Sequence, residues 1–320
     1  MAVTRAMTAE LERLVPGGVS KGVSLSDISR WKIGGIADVV IRPKSPEQVQ
    51  VLRRYFHQNS IHHVVIGMTS NLLFSDDGLR VPCVQIDNRM GKVRVSDCIV
   101  TAEGGAWVPS LSRKVQKAGL TGAEHICGIP GTIGGLICMN GGSQRKGIGS
   151  SVVEVTSIDE VGNEIRRTAV DCQFAYRESV FQRNNEVIVK VVLRFDQSSD
   201  SREVRRAMLD ILASRRRKFP QKEPNCGSVF KSDPAMYKDF GSPGEIIERL
   251  GAKELSIGGA EISRHHGNFI LNKNNATSID VLKLISLIKN RVEVETGYSM
   301  KAEVLYLNSA GKLMPADELY

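Results

Sequence analysis

The 320 residues, 41% hydrophobic and 24% charged, suit an ordinary soluble globular protein of two or three domains. No run of eighteen apolar residues occurs, and Glu10, Glu12 and Arg13 interrupt the N-terminus where a signal peptide needs an apolar core. No transmembrane helix is expected, and the expected location is the cytoplasm. The net charge of +8 leaves nucleic acid, an anionic membrane or anionic small molecules open. Its basic segment, residues 202–222, reads most economically as a solvated helix face, with an approach for a phosphate-bearing substrate second. Only Trp31 and Trp107 supply tryptophan, without the aromatic-basic interleaving of a base-stacking surface. The six cysteines form no CxxC pair and no zinc-finger spacing, so reduced, mostly buried thiols are expected.

Residues 37–41 (ADVVI) predict a strand. Ser45, Pro46 and Glu47 then start a helix, with Val49, Leu52 and Phe56 on one face through about Gln58. Val64–Ile66 is a short strand ending at Gly67, which completes a β-α-β opening. Residues 93–103 predict paired strands and 109–118 a helix. Val152–Ile158 and Glu164–Thr168 flank a turn at Gly162 and predict a hairpin. Residues 187–195 alternate, with Val187, Val189, Val191, Leu193 and Phe195 on one face. A helix then starts at Asp200 with Glu203 three residues on, and the main domain boundary falls there. Ser242 and Glu245 form a capping box around Pro243, and Gly251 ends that helix. Residues 277–294 carry an amphipathic stripe, and 301–307 predict a last strand that closes the folded part. The pattern is α/β or α+β, with a two-lobed N-terminal unit and a smaller C-terminal domain.

Between the predicted helix 109–118 and the hairpin lies GIPGTIGGLICMNGG (128–142), six glycines in fifteen residues. Glycine admits positive φ and lets another group reach the main chain. The stretch has no GK[ST] and no GxGxxG. On pattern alone it is either a phosphate or cofactor cradle or a segment packed tightly on a sheet.

With its neighbours, this stretch resembles the UDP-N-acetylenolpyruvoylglucosamine reductase (MurB) family, whose block reads GIPGTVGG followed by MNAG. WKIGGIADVVIRP (31–43), FAYRES (174–179), CGSVFK (226–231) and IGGAEISRHHGNFILN (257–272) match further blocks in the family's order. PGEIIERLGAK (243–253) and KAEVLYL (301–307) also fit. The short segment between Arg177 and Ser228 lacks the tyrosine-bearing insertion of one subgroup and favours the type II subgroup.

The resemblance implies an α+β protein: a two-subdomain FAD-binding fold of the vanillyl-alcohol-oxidase/PCMH type plus a smaller substrate-binding domain. It places an N-terminal extension or helix at 1–25 and the FAD-binding domain at 26–197, split near 85. The substrate domain then spans 200–298, a strand at 299–309 returns to the FAD domain, and 310–320 is a tail. Implied cofactors are non-covalent FAD, with NADPH as hydride donor. The implied partner is the small molecule UDP-GlcNAc-enolpyruvate, reduced to UDP-N-acetylmuramate in peptidoglycan precursor synthesis. A monomer is expected, with no nucleic acid, no membrane insertion and no metal. A paralogue on the same scaffold acting on another substrate stays open, as does a non-catalytic nucleotide-sugar or flavin-binding protein.

Hydride addition conjugate to a carboxylate pushes charge onto that carboxylate, so the chemistry wants a fixed cation, hydrogen-bond donors and an acid. The resemblance assigns Arg177 to the substrate carboxylate, Ser228 to protonation of the enolate carbon, and Glu303 to assistance at the carboxylate end. Outside their blocks, these three would read as a surface ion pair, a turn residue and an exposed strand position. The flavin loop corresponds to Gly67, Met68, Thr69, Ser70, Asn71 and Leu72, and the second cradle to Gly128, Ile129, Pro130, Gly131, Thr132, Gly134, Gly135, Asn140 and Gly141. Lys231, Arg264 and Tyr176 are assigned to substrate binding, whereas His265 and His266 receive no catalytic role. One departure stands out. The family's GxGSN reads Gly67-Met68-Thr69-Ser70-Asn71 here, and a Cβ at Thr69 either crowds the diphosphate approach or demands a different φ.

Overall fold

Several helix starts in this chain are set by short polar side chains that satisfy a first-turn amide. Thr4 accepts from the Met7 N–H, Ser45 from Gln48 and Thr132 from Gly135. Ser242 with Glu245, and Thr277 with Asp280, form reciprocal capping boxes. The computed structural model describes residues 3–319. Met1, Ala2 and Tyr320, at the outer ends of the expected extension and tail, lie outside the described residues.

The chain divides into two units. The first comprises the residues up to Ser20, Val39–Met68 and Pro82–Arg215. The second comprises Lys21–Asp38, Thr69–Val81 and the residues from Arg216 on.

In the first unit, the opening helix Arg5–Leu14 and the helix Pro46–Gln58 pack on a small sheet in which three strands run parallel. Ile36–Ile41 and Val64–Ile66 do not pair with each other. Both run parallel to Cys83–Gln85, which lies between them with Val40 and Val64 opposite Cys83. A five-stranded antiparallel sheet follows, ordered Glu164–Thr168, Val152–Ile158, Val187–Arg194, Ile99–Glu103, Val93–Ser96. The predicted hairpin is present, pairing Ile158 with Glu164 through to Glu154 with Thr168.

The central strand departs from the expected alternation. Val187, Ile188 and Val189 are all buried, because Ile188 packs into the core with Leu111 and Ile133 while Val187 and Val189 enter the core with Leu52 and Phe56. A strand with apolar cores on both faces loses its two-residue period.

The second unit is built on the helices Pro243–Arg249 and Ser278–Thr296 and the three-stranded sheet Ser256–Ile257, Ala260–Ile262, Ile270–Asn272. Trp31, fully buried, donates its indole N–H to the Ile270 carbonyl at 2.8 Å and shares a core with Ile247, Ile285 and Val304. The helix Pro234–Phe240, capped by Asp233, was not expected, although the Asp-Pro pair is a sequence signal for it.

The last strand is shorter than predicted, Leu305–Leu307, and pairs parallel to Leu72–Phe74. Across residues 301–304 the Glu303 N–H donates to the Val229 carbonyl, whereas the Ala302 N–H donates to the Asp317 carboxylate, so no continuous strand ladder forms on that side. Nor does it close the fold, since Leu313–Pro315 pairs antiparallel to it.

Candidate active site

In the first unit the glycine-rich stretch folds as a turn and a one-and-a-half-turn helix, Ile133–Cys138. Gly131 takes φ +145°, a conformation that L side chains rarely adopt. A Cβ added at Gly67 would lie 2.9 Å from the Thr132 hydroxyl, so the start of the flavin loop and the glycine stretch face each other with no side chain between them. Thr132 itself is buried and caps the short helix.

Asn140, at φ +40°, ends the stretch and joins it to the Arg177 segment. Its side-chain amide donates to the Ala175 carbonyl at 2.8 Å, and its Oδ1 accepts from the Gly149 N–H at 2.9 Å. Ala175 and Glu178 bond each other reciprocally, which puts Tyr176 and Arg177 at the tip of a two-residue turn. Arg177 has φ +57°, unusual for a residue with a Cβ, and its guanidinium carbon stands 5.7 Å from the centre of the Tyr176 ring. Gln182 holds the turn by donating to both the Arg177 and Cys138 carbonyls, at 3.0 and 2.8 Å. Left-handed backbone costs about 1–3 kcal/mol per residue and concentrates where geometry matters for function. Tyr176 is exposed.

The second unit gathers the rest of the flavin loop with Ser228 and Glu303. Thr69 takes φ +55° and is 3% exposed. Its hydroxyl donates to the Ile28 carbonyl at 2.9 Å and accepts from the Arg30 N–H at 3.3 Å. Of the two readings open at Thr69, the backbone therefore takes the unusual φ, and the side chain is spent on residues 28–30. The Cys226 thiol, its pKa pushed up to about 12 by burial, donates to the Leu72 and Thr69 carbonyls at 3.3 and 3.5 Å. The Asn71 side chain donates to the Glu303 carbonyl at 2.8 Å, and the Leu305 N–H returns a bond to the Asn71 carbonyl.

Ser228 sits between Gly227, at φ +85°, and a doubly held segment. Buried Asn268 accepts from the Phe230 N–H at 2.8 Å and donates to the Phe230 carbonyl at 2.9 Å, while its own carbonyl accepts from Val229. On the other side Asn225 accepts from the Gly227 N–H at 2.9 Å. The Glu303 N–H donates to the Val229 carbonyl at 2.7 Å, and Phe230 bridges Ala302. Ser228 and Glu303 thus lie on adjacent, mutually bonded segments next to Asn71. The Lys231 N–H donates to the Lys301 carbonyl at 2.9 Å, beside the isolated Phe230–Ala302 bridge. Arg264 instead pairs with exposed Glu254 at 3.3 Å.

The His266 ring packs at a tilt against Phe219 and Phe269, and burial lowers its pKa, in keeping with a packing role. Asn225, Asn268 and Cys226 were not singled out from sequence. Asn268 and Cys226 lie inside the family-like blocks 257–272 and 226–231, but their burial and bonding depend on contacts distant in sequence.

A flavin dinucleotide needs close approach to backbone amides and hydroxyls, without a metal. The close approach of Gly67 to Thr132 fits that need. Residues 37–168 match the FAD binding domain family model, and residues 219–307 match the C-terminal domain of UDP-N-acetylenolpyruvoylglucosamine reductase. A reductase of that name from Corynebacterium glutamicum is 41% identical over 93% of this chain and 88% of its own length. One from Heliobacterium modesticaldum is 36% identical over 90% of each. The crystal structure of the Thermus caldophilus enzyme superposes with a TM-score of 0.74 at 26% identity, covering 89% of this chain and 97% of that one. The α+β architecture, an FAD-binding domain followed by the reductase C-terminal domain, agrees with these matches. With likeness running through both units and over nearly the whole length of its relatives, the chain belongs to the UDP-N-acetylenolpyruvoylglucosamine reductase family.

Proposed function

We propose that the protein reduces UDP-GlcNAc-enolpyruvate to UDP-N-acetylmuramate, with FAD bound and NADPH consumed, in peptidoglycan precursor synthesis. The observation that carries this reading is the adjacency of Ser228, Glu303 and Asn71 in one bonded cluster. Bound FAD supplies the hydride transfer from NADPH to the enolpyruvyl double bond.

The side chains do the rest. Arg177 binds the substrate carboxylate and takes up the charge that develops there, a task suited to a planar, permanently charged donor. The Ser228 hydroxyl delivers a proton to the carbon beside the carboxylate, and Glu303 assists at the carboxylate end. Gly67 to Leu72 and the stretch from Gly128 to Gly141 hold FAD. Tyr176, Lys231 and Arg264 bind the nucleotide sugar. We assign FAD binding to residues 26–197 and substrate binding to 200–298. The strand at 299–309 is assigned as returning to the FAD domain, with the tail at 310–320. A cytoplasmic monomer acting on a small molecule, off the membrane and without nucleic acid, completes the reading.

A yellow protein whose flavin bleaches with NADPH, and whose NADPH consumption depends on the enolpyruvyl sugar, is the expected result. Ser228→Ala should leave the bleaching intact while slowing sugar reduction by about 10²- to 10⁴-fold, the usual worth of a general acid. Wild-type turnover in that variant sinks the role of Ser228. NADPH oxidation that ignores the sugar favours the paralogue on another substrate, which Thr69 in the flavin loop makes the second reading.

A further inference from the structure

Residues beyond Leu307 fold back on the segment that carries Glu303. Leu313–Pro315 pairs with Leu305–Leu307, and Ala316–Glu318 makes a single turn after it. Asp317, 8% exposed, accepts from the Ala302 N–H through Oδ1 at 3.0 Å. Its Oδ2 accepts from the Lys289 ammonium at 3.0 Å, and the same ammonium donates to the Asp317 carbonyl at 3.2 Å. The Ala316 N–H donates to the Val304 carbonyl at 3.1 Å. Glu303 is therefore flanked by two residues fixed to the tail, while its own N–H is fixed to Val229 on the Ser228 segment.

Lys289 is anchored in turn. It projects from Ser278–Thr296, whose Ile285, Ile288 and Val292 are buried in the second unit's core. The pair has little access to water, with side-chain exposures of 22% for Lys289 and 6% for Asp317. A carboxylate so placed cannot trade its partners for solvent, so removing either partner leaves an uncompensated charge.

We infer that Asp317 and Lys289 form a clamp that sets the position of Glu303 against the Ser228 segment. They are positioning residues acting through the backbone of residues 302–304. The inference rests on the reading of Glu303 as an assisting acid, and it gives the stretch after Leu307 a part in the chemistry.

The test uses the full-length holoprotein with Asp317→Ala, Asp317→Asn, Lys289→Met and Glu303→Gln. Amide hydrogen exchange at Ala302, sugar-dependent turnover and the rate of flavin reduction by NADPH are measured. Asp317→Ala should deprotect the Ala302 amide and lower kcat by about 10- to 100-fold, the scale of an ångström's misplacement. Flavin reduction should change less than about twofold, since the clamp holds no part of that step. Asp317→Asn keeps an acceptor for Ala302 and should recover most of the loss. Added to Glu303→Gln, Asp317→Ala should cost little more, because both act through one group. If Asp317→Ala does not fold, Lys289→Met carries the same expectations. Wild-type protection at Ala302 in either variant overturns the clamp whatever Glu303 does, and fully additive losses overturn its action through Glu303. Wild-type turnover in Glu303→Gln removes the role of Glu303 instead, and with it this use of the clamp.

Discussion

Thr69 holds two opposed energies in one residue. A β-branched side chain in left-handed backbone costs about 1–2 kcal/mol. Its hydroxyl makes two hydrogen bonds, to Ile28 and from Arg30, each contributing about 0.5–1.5 kcal/mol. The terms offset, and a threonine can stand in left-handed backbone that favours glycine. Thr69→Ser keeps both bonds, relaxes the branching and should bind FAD as the parent does. Thr69→Val keeps the shape but strands the Ile28 carbonyl and Arg30 amide, and should weaken FAD binding at least about fivefold, on the loss of about 1 kcal/mol. Titration of apoprotein with FAD, followed by flavin fluorescence, decides it. Equal affinities for the two variants would remove Thr69 from the holding of the loop.

At the scale of elements, the helix Pro46–Gln58 carries a buried arginine that reaches outward from the apolar face. Arg53 donates to the Asp159 carbonyl at 3.0 Å, the Asn185 carbonyl at 2.8 Å and the His63 ring at 2.8 Å. The His63 ring stacks on Phe56 and donates through Nδ1 to the Ile61 carbonyl, so Nε2 must be the acceptor and the ring neutral. Burial first, and Arg53 with it, lowers the His63 pKa to about 4. The unfolded chain binds a proton near pH 6.5 that the folded one refuses, so stability falls as pH drops from about 6.5 toward 4. Roughly 2 kcal/mol should be lost between pH 7 and pH 5. Thermal midpoints measured over that window should fall more steeply for the parent than for His63→Gln. Parallel slopes would contradict a neutral, buried His63.

At the scale of the whole chain, the second unit cannot be cut out as one continuous piece. Its core takes Trp31, Ile33 and Leu73 from two earlier excursions of the chain, alongside residues from Arg216 onward. A fragment of 216–320 therefore lacks a fully buried tryptophan and the donor to Ile270. It should show no cooperative thermal transition by circular dichroism, whereas the full chain should. Within the full chain, Trp31→Ala should lower stability by about 3–5 kcal/mol, the range for removing a buried aromatic. A cooperative transition in the fragment would show that the two earlier segments are dispensable.

Local signals settled much of this architecture, because a cap or an alternating run is decided by neighbours in sequence. Ser45 with Pro46, Ser242 with Glu245, and the turn at Gly162 were legible for that reason, and family blocks supplied Arg177, Ser228 and Glu303. The chain could not show that Val187–Val189 would be buried on both faces, since a second core on the far side of a strand leaves no mark on its period. Nor could it show that Asp317 would turn from a tail residue into the partner of Lys289 and Ala302. Contacts between distant positions depend on where the chain returns. Residue types and their local blocks name the groups able to do this chemistry, while the long-range return of the chain selects Asp317, Lys289 and Asn268 to hold them still.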